Sequence, residues 1–286
     1  MLVTPVPAAG HPLVDRIWLP AEDRYIDQST LITNLAERRF VLLGESHGHP
    51  DHHRAQANIL VELALRGRQP VVAMEMMDTS QADALEQVQG RESPTAAELA
   101  DAVDWEAAGW PEWKLYEPIV AAALEHELRI VAANLPLEEV RAVAREGLDY
   151  LPAEKIHDLG LDQPLAPLAE QTLRERLNRA HCGDLPDEAL DRLLAAQRLR
   201  DAFMAARIAE AARPDGAILI AGSVHVDHFR GVPAYLVRAG ETDSFSVAFV
   251  PVVEEETSPG DYGRDFDALW FTTPHPSPPP DPCRRD

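Results

Sequence analysis

Four short, mostly apolar runs stand out along the chain, at residues 40–44, 71–74, 129–133 and 217–221. Runs without polar alternation are typical of strands buried on both faces of a parallel sheet. Apolar residues recur at helical spacing between them, for example in 54–65, 114–127 and 137–146. This alternation predicts an α/β fold in which a mostly parallel central sheet is flanked by helices.

Other segments add detail to this prediction. Residues 17–19 are expected to form an edge strand, and 244–253 alternate enough to be a last strand at an edge. Ser29 or Thr30 can cap a first helix, and Thr95 with Glu98 has the spacing of a capping box. Prolines interrupt the helical pattern of 148–197, which predicts a helical insertion. A long helix is expected over 186–212.

The chain of 286 residues is long enough for one large domain, expected over 15–255. Residues 1–14 are expected to be flexible, and the proline-rich segment 272–286 is expected to be disordered. The 2 cysteines, Cys182 and Cys283, indicate neither a disulfide framework nor a thiolate metal site.

The charge of the chain excludes some partners. Its 26 basic and 48 acidic residues give a formal net charge of −22, which argues against nucleic acids and anionic membrane surfaces. No run approaches the roughly 18–20 apolar residues of a transmembrane segment. The sequence as it stands carries no signal peptide or lipobox cysteine, so a cytoplasmic location is expected, or a periplasmic or surface location if the natural chain is longer.

The tetrapeptide Gly-x-x-His occurs twice, each time after a buried run, at 44–47 and at 222–225. Since the carboxyl ends of parallel strands meet at one edge of a sheet, the polar residues at these ends should converge. Their imidazoles and carboxylates could hold a divalent metal ion or act as general base and orienter. Helix caps and surface salt bridges are the simpler alternative. The residues concerned are Glu45, His47, Glu75 and His225, with Asn134 at a further strand end.

Three other groups of residues are less decisive. His49, His52 and His53 could be metal or haem ligands, or a polar helix start. An aromatic wall of Trp105, Trp110, Trp113 and Tyr116 suits a flat apolar ligand, a structural loop anchor or a dimer contact. On the long helix, one face carries Gln197, Asp201 and Met204, next to Arg200; this face either lies at the strand-end site or packs in the core.

Several sequence segments together resemble the ChaN-type haem-binding proteins of the superfamily that includes the Tiki and TraB proteins and the erythromycin esterases. The resemblance spans roughly residues 15–240. It implies an α/β fold and haem binding in iron uptake, commonly in surface or periplasmic lipoproteins that hold haem between the subunits of a homodimer. The segments are LLGESHGHPDHHRAQ, VVAMEMM, the 110–118 stretch, AANLP, QRLRDAFMA and IAGSVHVDHFRGVPAYL.

The resemblance leaves two functions open. For haem, the candidate iron ligands are His49, His52, His53 and Tyr116, and Arg54 is the candidate partner of a propionate. Other branches of the superfamily are hydrolases, some of them metal-dependent, so an enzyme that binds a divalent metal ion is the alternative. In that case the metal and catalytic residues would be Glu45, His47, Glu75 and His225. A third hypothesis is a protein whose strand-end residues bind nothing.

Overall fold

The computed structural model describes residues 10–276 and Cys283. Its sheet is 8-stranded, in the order β2-β1-β8-β7-β3-β6-β4-β5. The strands are β1 (Ile17–Leu19), β2 (Arg24–Ile26), β3 (Phe40–Glu45), β4 (Val71–Asp78), β5 (Ile130–Asn134), β6 (Ala217–Gly222), β7 (Ser244–Pro251) and β8 (Ala268–Thr272). The strands from β8 to β5 pair in parallel, whereas β1 pairs antiparallel with β2 and β8. The predicted fold class, an α/β fold with a mostly parallel sheet, is confirmed.

The helices connect these strands. They are α1 (Gln28–Ala36), α2 (Pro50–Leu65), α3 (Ala82–Gln89), α4 (Ala96–Ala102), α5 (Trp113–Glu125), α6 (Leu137–Glu146), α7 (Ala153–Asp158), α8 (Pro167–Ala180), α9 (Asp187–Ala211) and α10 (Val232–Arg238). Short 3₁₀ helices lie at Thr79–Gln81, Leu148–Tyr150, Ser223–Val226 and Pro259–Tyr262. The segment 148–197, predicted to be a helical insertion, contains α7, α8 and the first part of α9.

The sheet separates two hydrophobic layers. Because successive side chains of a strand point to opposite faces, Val41 and Leu43 of β3 pack with α1, α2 and α5, whereas Phe40 and Leu42 pack with α6, α9 and α10. Every residue of β3 and β6 is buried. Both faces of these central strands are therefore covered, and their polar chemistry is confined to the ends of the strands.

Strand β7, predicted to be a last strand at an edge, lies in the sheet interior between β8 and β3. Its polar residue Ser246 is buried rather than facing water, and its hydroxyl is satisfied by contacts with His228 and Asp267. Strand β1 is also not an edge, since β2 pairs with its outer side. Strand β8 lies beyond residue 255, the expected end of the domain.

Local details refine the other predictions. The cap of α1 is Asp27, not Ser29 or Thr30: its carboxylate accepts from the Thr30 backbone N–H at 2.7 Å. The capping box of Thr95 and Glu98 is present. No helix in the described part of the chain is long and apolar enough to cross a membrane.

The ends of the chain differ from the expectation in one respect. Cys182, after α8, forms a disulfide with Cys283, although the sequence indicated no disulfide. The two residues are 101 positions apart, and the sequence did not show that they would meet. The flexibility predicted for residues 1–14 and the disorder predicted for 272–286 fall largely on residues 1–9, 277–282 and 284–286, which lie outside the described residues.

Candidate functional site

The carboxyl ends of β3, β4 and β6 bring the predicted strand-end residues together. Glu75 directly follows the last residue of β4 that pairs with β6, although β4 itself continues to Asp78, and it lies between the two predicted histidines. Its Oε1 is 3.2 Å from His225 Nε2, and its Oε2 is 3.8 Å from His47 Nε2. The convergence of His47 and His225 on one side of the sheet, expected from the topology of parallel strands, is therefore what the structure has.

The carboxylate of Glu75 is buried and fully surrounded by donors. The backbone N–H of Gly222 donates to Oε2 at 2.6 Å, and the guanidinium of Arg200 donates to Oε1. Burial by itself would raise the pKa of Glu75, but His225, Arg200 and His47 hold that pKa well below its ordinary value. Glu75 is therefore an anion at neutral pH and anchors the charges around it.

His225 is held from its other side by α9. Its Nδ1 lies 2.5 Å from Asp201 Oδ1 and 3.2 Å from Gln197 Nε2. Burial lowers the pKa of His225, but Glu75 and Asp201 together raise it to about 9. His225 is thus an imidazolium between two carboxylates. The open question about the α9 face is answered residue by residue: Gln197, Arg200 and Asp201 line the strand-end site, and Met204 is in the core.

Glu45 and His47 form a second pair. His47 Nδ1 is 2.8 Å from Glu45 Oε1, and the Tyr116 hydroxyl donates to the same oxygen at 2.7 Å. Burial opposes the charge of Glu45, but His47 and His53 hold its pKa far below the ordinary value. Since an ionised carboxylate can only accept, His47 carries a proton on Nδ1. The side chain of His47 is 32% exposed.

The two glycines of the repeated tetrapeptide permit close approach of backbone and side chains. A Cβ on Gly222 would lie 2.9 Å from His47 Nε2. A Cβ on Gly44 would lie 2.3 Å from Val226 Cγ2 and 2.9 Å from Ser223 Cα. The end of β3 is therefore packed against the segment that follows β6, and the end of β6 against the segment that follows β3. This close approach is the physical reason for glycine at both positions.

His49 and His52 are buried at the start of α2, with their rings stacked at 4.0 Å. The N–H of Asp51 donates to His49 Nδ1, so Nε2 carries the proton that is donated to the Thr273 carbonyl at 2.9 Å. His52 likewise accepts from the Ser46 N–H and reaches the Thr272 hydroxyl. Burial lowers the pKa of His52 to about 2, so its ring is neutral.

His53 and Tyr116 also lie in the interior. His53 Nδ1 is 2.9 Å from the Leu115 carbonyl, and its Nε2 lies 3.4 Å from Glu45 Oε2. Tyr116 is 0% exposed, and its hydroxyl is engaged by Glu45. Arg54, in contrast, has a side chain that is 65% exposed and forms an ion pair with Asp51.

The tryptophans form a wall beside His47. The Trp110 ring packs edge-on against the His47 ring, with 5.0 Å between ring centroids. Trp105 is buried, contacts the Trp113 ring at 5.0 Å, and donates to the Pro111 carbonyl. A cavity of about 440 Å³ opens between these rings. Trp110 and Trp113 are only half-buried, so apolar surface remains accessible next to a part-exposed imidazole.

A bound divalent metal ion does not fit the four strand-end residues as they are arranged. The carboxylates and imidazoles form the pairs Glu45 with His47 and Glu75 with His225, and Glu45 Oε2 is buried with no hydrogen-bond partner in the described part of the chain. In the part of the chain that the structure describes, no group of 3 or more His, Cys, Asp or Glu side chains could hold a metal ion. The metal-dependent hydrolase is therefore not supported better than haem binding.

Sequence reasoning missed the residues that follow β8. Thr273 and His275 contact the loop between β3 and α2: His275 Nε2 lies 3.3 Å from the His47 carbonyl, and Thr273 accepts from His49. No local signal could have shown this, because the segment has the composition of a disordered tail.

The fold and the strand-end site define an α/β protein whose polar residues gather at the carboxyl edge of a parallel sheet. The model of one family, described as haem-binding uptake, Tiki superfamily, ChaN, matches residues 31–236. The chain therefore belongs to the ChaN family, as its sequence resemblance predicted. A search of curated proteins found no match.

Comparison with solved structures supports the fold. The chain is similar to ChaN of Campylobacter jejuni, reported with cofacial haem binding, at 22% identity and a TM-score of 0.71, covering 89% of this chain and 95% of that one. It is also similar to the type III effector HopBA1, at 12% identity and a TM-score of 0.51, covering 93% and 99% of the two chains. At these identities the likeness is one of fold.

Proposed function

We propose that this protein binds haem at the strand-end surface formed by His47 and Trp110. Membership of a haem-binding family is the observation that carries the proposal. The fold-level likeness to a protein that binds haem cofacially agrees with it. Haem needs an apolar surface for the porphyrin and a side chain for the iron, and this surface has both an indole wall and an imidazole.

His47 is our candidate for the iron ligand. The proton on Nδ1 is directed at Glu45, and a carboxylate partner of this kind orients a metal-binding histidine. Burial lowers the pKa of His47, but Glu45 and Glu75 raise it above its ordinary value, so binding to iron through Nε2 would require loss of the second ring proton. Nε2 lies 3.8 Å from Glu75 Oε2, beyond hydrogen-bonding distance. Haem would supply an iron to which the His47 imidazole could bind. The chain's own contribution is to fix the tautomer and orientation of the ring.

The other candidate ligands fit less well. His49 and His52 each use both ring nitrogens in hydrogen bonds inside the protein. His53 and Tyr116 are buried, and both of them contact Glu45. An iron atom could reach any of these four only after the side chains packed around it had been rearranged. His47 requires a smaller change, since its side chain is already part-exposed.

Arg54 remains the proposed propionate partner. It is the exposed cation of the segment that follows the His47 loop, and its present partner, Asp51, is a single surface carboxylate. A surface ion pair of this kind is weak, so exchanging one carboxylate for another is feasible. A role in iron uptake or handling, a homodimer that covers the second porphyrin face, and the compartment remain expectations that accompany this proposal.

Titration with haemin, followed by its Soret band, tests the proposal. We expect saturable binding by the native protein at micromolar haemin. His47→Ala should shift the band and weaken binding by about tenfold or more, since the loss of an axial ligand removes the metal bond that fixes the porphyrin. Trp110→Ala should weaken binding without changing the ligand-dependent position of the band.

His157→Ala is the matched control. The His157 side chain is 80% exposed on α7, so this variant removes an imidazole from the surface away from the strand-end site. It should bind like the native protein. No spectral change with the native protein would refute haem binding. An unchanged band in His47→Ala would refute the assignment of the ligand.

A further inference from the structure

Two loops meet beside His47. One is the turn between β3 and α2, in which the His49 N–H donates to the Ser46 carbonyl at 3.1 Å and Gly48 has a φ of +79°. The other is the segment before α5, which carries Trp110. Where these loops meet, the centroids of the His47 and Trp110 rings are 5.0 Å apart. The way Trp110 is held there decides whether the indole has a fixed place beside the imidazole.

Trp110 has no polar anchor of its own. Its ring is half-buried against the hydrophobic layer that contains α5, and its indole N–H makes no hydrogen bond within the part of the chain that the structure describes. A half-exposed ring that is held by packing alone can change its rotamer readily. The position of Trp110 therefore depends on the backbone next to it.

Pro111, the next residue, is fixed from two sides. The indole N–H of buried Trp105 donates to the Pro111 carbonyl at 2.9 Å. On the other side, a Cβ on Gly48 would lie 3.2 Å from both Cβ and Cγ of the Pro111 ring, and 3.9 Å from Leu115 Cδ1. A separation of 3.2 Å is shorter than the roughly 3.5–4.0 Å of ordinary carbon contacts. Glycine therefore lets the two loops approach more closely than a larger residue would.

We propose that Gly48 and Trp105 are positioning residues that hold Trp110 against His47 through their contacts with Pro111. Gly48 meets two requirements at once, the left-handed φ of the turn and the absence of a Cβ where the proline packs. Trp105 fixes the Pro111 carbonyl, and the proline ring fixes φ, so little rotation remains in the backbone next to Trp110. The consequence for haem rests on the proposed function, but the placement of the indole does not.

Gly48→Asn tests the contact without any ligand. Asparagine enters the left-handed region more readily than most residues, so the turn can keep its conformation, but the new side chain must displace Pro111. The measurement is the ring-proton NMR resonance of His47, which the neighbouring indole shifts through its ring current. His47→Ala assigns this resonance, and Trp110→Ala gives its position without the indole. We expect Gly48→Asn to move the resonance away from its native position toward the Trp110→Ala position.

Gly67→Asn is the matched control. Gly67 lies just beyond the other end of α2 with a φ of +80°, and in the described part of the chain a Cβ there would meet no atom within 4 Å. This variant has the same backbone strain but no contact to displace, so the His47 resonance should stay at its native position. An unchanged resonance in Gly48→Asn would overturn the proposal, as would an equal shift in both variants.

Trp105→Phe tests the other contact. It keeps an aromatic ring but loses the N–H that donates to the Pro111 carbonyl, so the His47 resonance should again move toward the Trp110→Ala position. No movement would refute the role of Trp105. If far-UV circular dichroism shows that Gly48→Asn does not fold, Trp105→Phe decides the proposal by the same resonance.

Haemin titration separates this proposal from haem binding. Binding to Gly48→Asn that is weaker by about fivefold, at an unchanged Soret position, supports both, because the indole has moved while His47 is still present. A moved resonance with no haemin binding by the native protein refutes haem binding and leaves the positioning roles standing. Haemin binding by the native protein with an unmoved resonance in Gly48→Asn overturns the positioning roles and leaves haem binding standing.

Discussion

Glu75→Gln tests the buried charge network at the strand ends. The Glu75 side chain is 2% exposed and faces two cationic groups, Arg200 and His225. Glutamine has the same shape, but its amide has no charge, and its N–H donors would face the N–H donors of its neighbours. Removing one partner of a buried ion pair leaves an uncompensated charge in the interior.

The expected loss is large. Breaking a buried pair in this way costs about 3–5 kcal/mol. At about 2–4 °C per kcal/mol for a domain of this size, Tm should fall by about 6–20 °C. Because the Glu75 carboxylate is almost fully buried, water screens its interactions with Arg200 and His225 very little, so the full range of about 3–5 kcal/mol is expected. The measurement is urea unfolding followed by far-UV circular dichroism at neutral pH, with thermal unfolding in parallel.

Glu86→Gln is the matched control. Glu86 also pairs with an arginine, Arg129, but its side chain is 62% exposed. An exposed pair contributes about 0–1 kcal/mol, so this variant should unfold almost like the native protein. A loss of under about 1 kcal/mol in Glu75→Gln would refute the reasoning, because it would mean that the buried cations do not depend on Glu75.

Three further predictions concern packing, a hydrogen bond and pH. Gly44→Ala should destabilise the protein by about 1–3 kcal/mol in urea unfolding, because the new methyl would overlap Val226, and an unchanged midpoint would contradict this. Tyr116→Phe removes the hydroxyl that donates to buried Glu45, so it should lower the free energy of unfolding by about 1.5–3 kcal/mol. An unfolding free energy equal to that of the native protein would show that this hydrogen bond contributes little. His52, with a pKa lowered to about 2, stays neutral when folded but gains a proton when unfolded below pH about 6.5. The contribution of neutral His52 to stability is therefore present above that pH and is lost as the pH falls. His52→Gln keeps a donor and an acceptor but does not titrate. This variant should flatten the pH dependence of the urea midpoint between pH 7.5 and 5.

Much of the fold could be predicted from local patterns. The continuous apolar runs of β3, β4, β5 and β6 identified strands covered on both faces, because such a strand has no need of polar alternation, although β5 lies at the edge of the sheet. Strand β7 was wrongly predicted at an edge because its polar and apolar residues alternate, and alternation is typical of a strand with one face in water. Ser246 looks solvent-facing in the sequence, and only its contacts with His228 and Asp267 show how a buried hydroxyl is satisfied.

The candidate site divides in the same way. That His47 and His225 would meet near Glu75 followed from sequence, since parallel strands deliver their carboxyl ends to one edge. Which groups pair, and which rings stay accessible, did not follow. Asp201 holds His225 from a helix, and Thr273 caps His49 from a segment more than 200 positions away.

The sequence by itself therefore indicated the alternation of helices with six of the eight strands, the repeated Gly-x-x-His tetrapeptide, and the residues that gather at one edge. Those properties depend on periodicity and backbone geometry, which are local. The tertiary structure alone decided the protonation and burial of each histidine, the place of β8, and the pairing of the two cysteines. Those properties depend on contacts between residues far apart in the chain, and no local pattern encodes them.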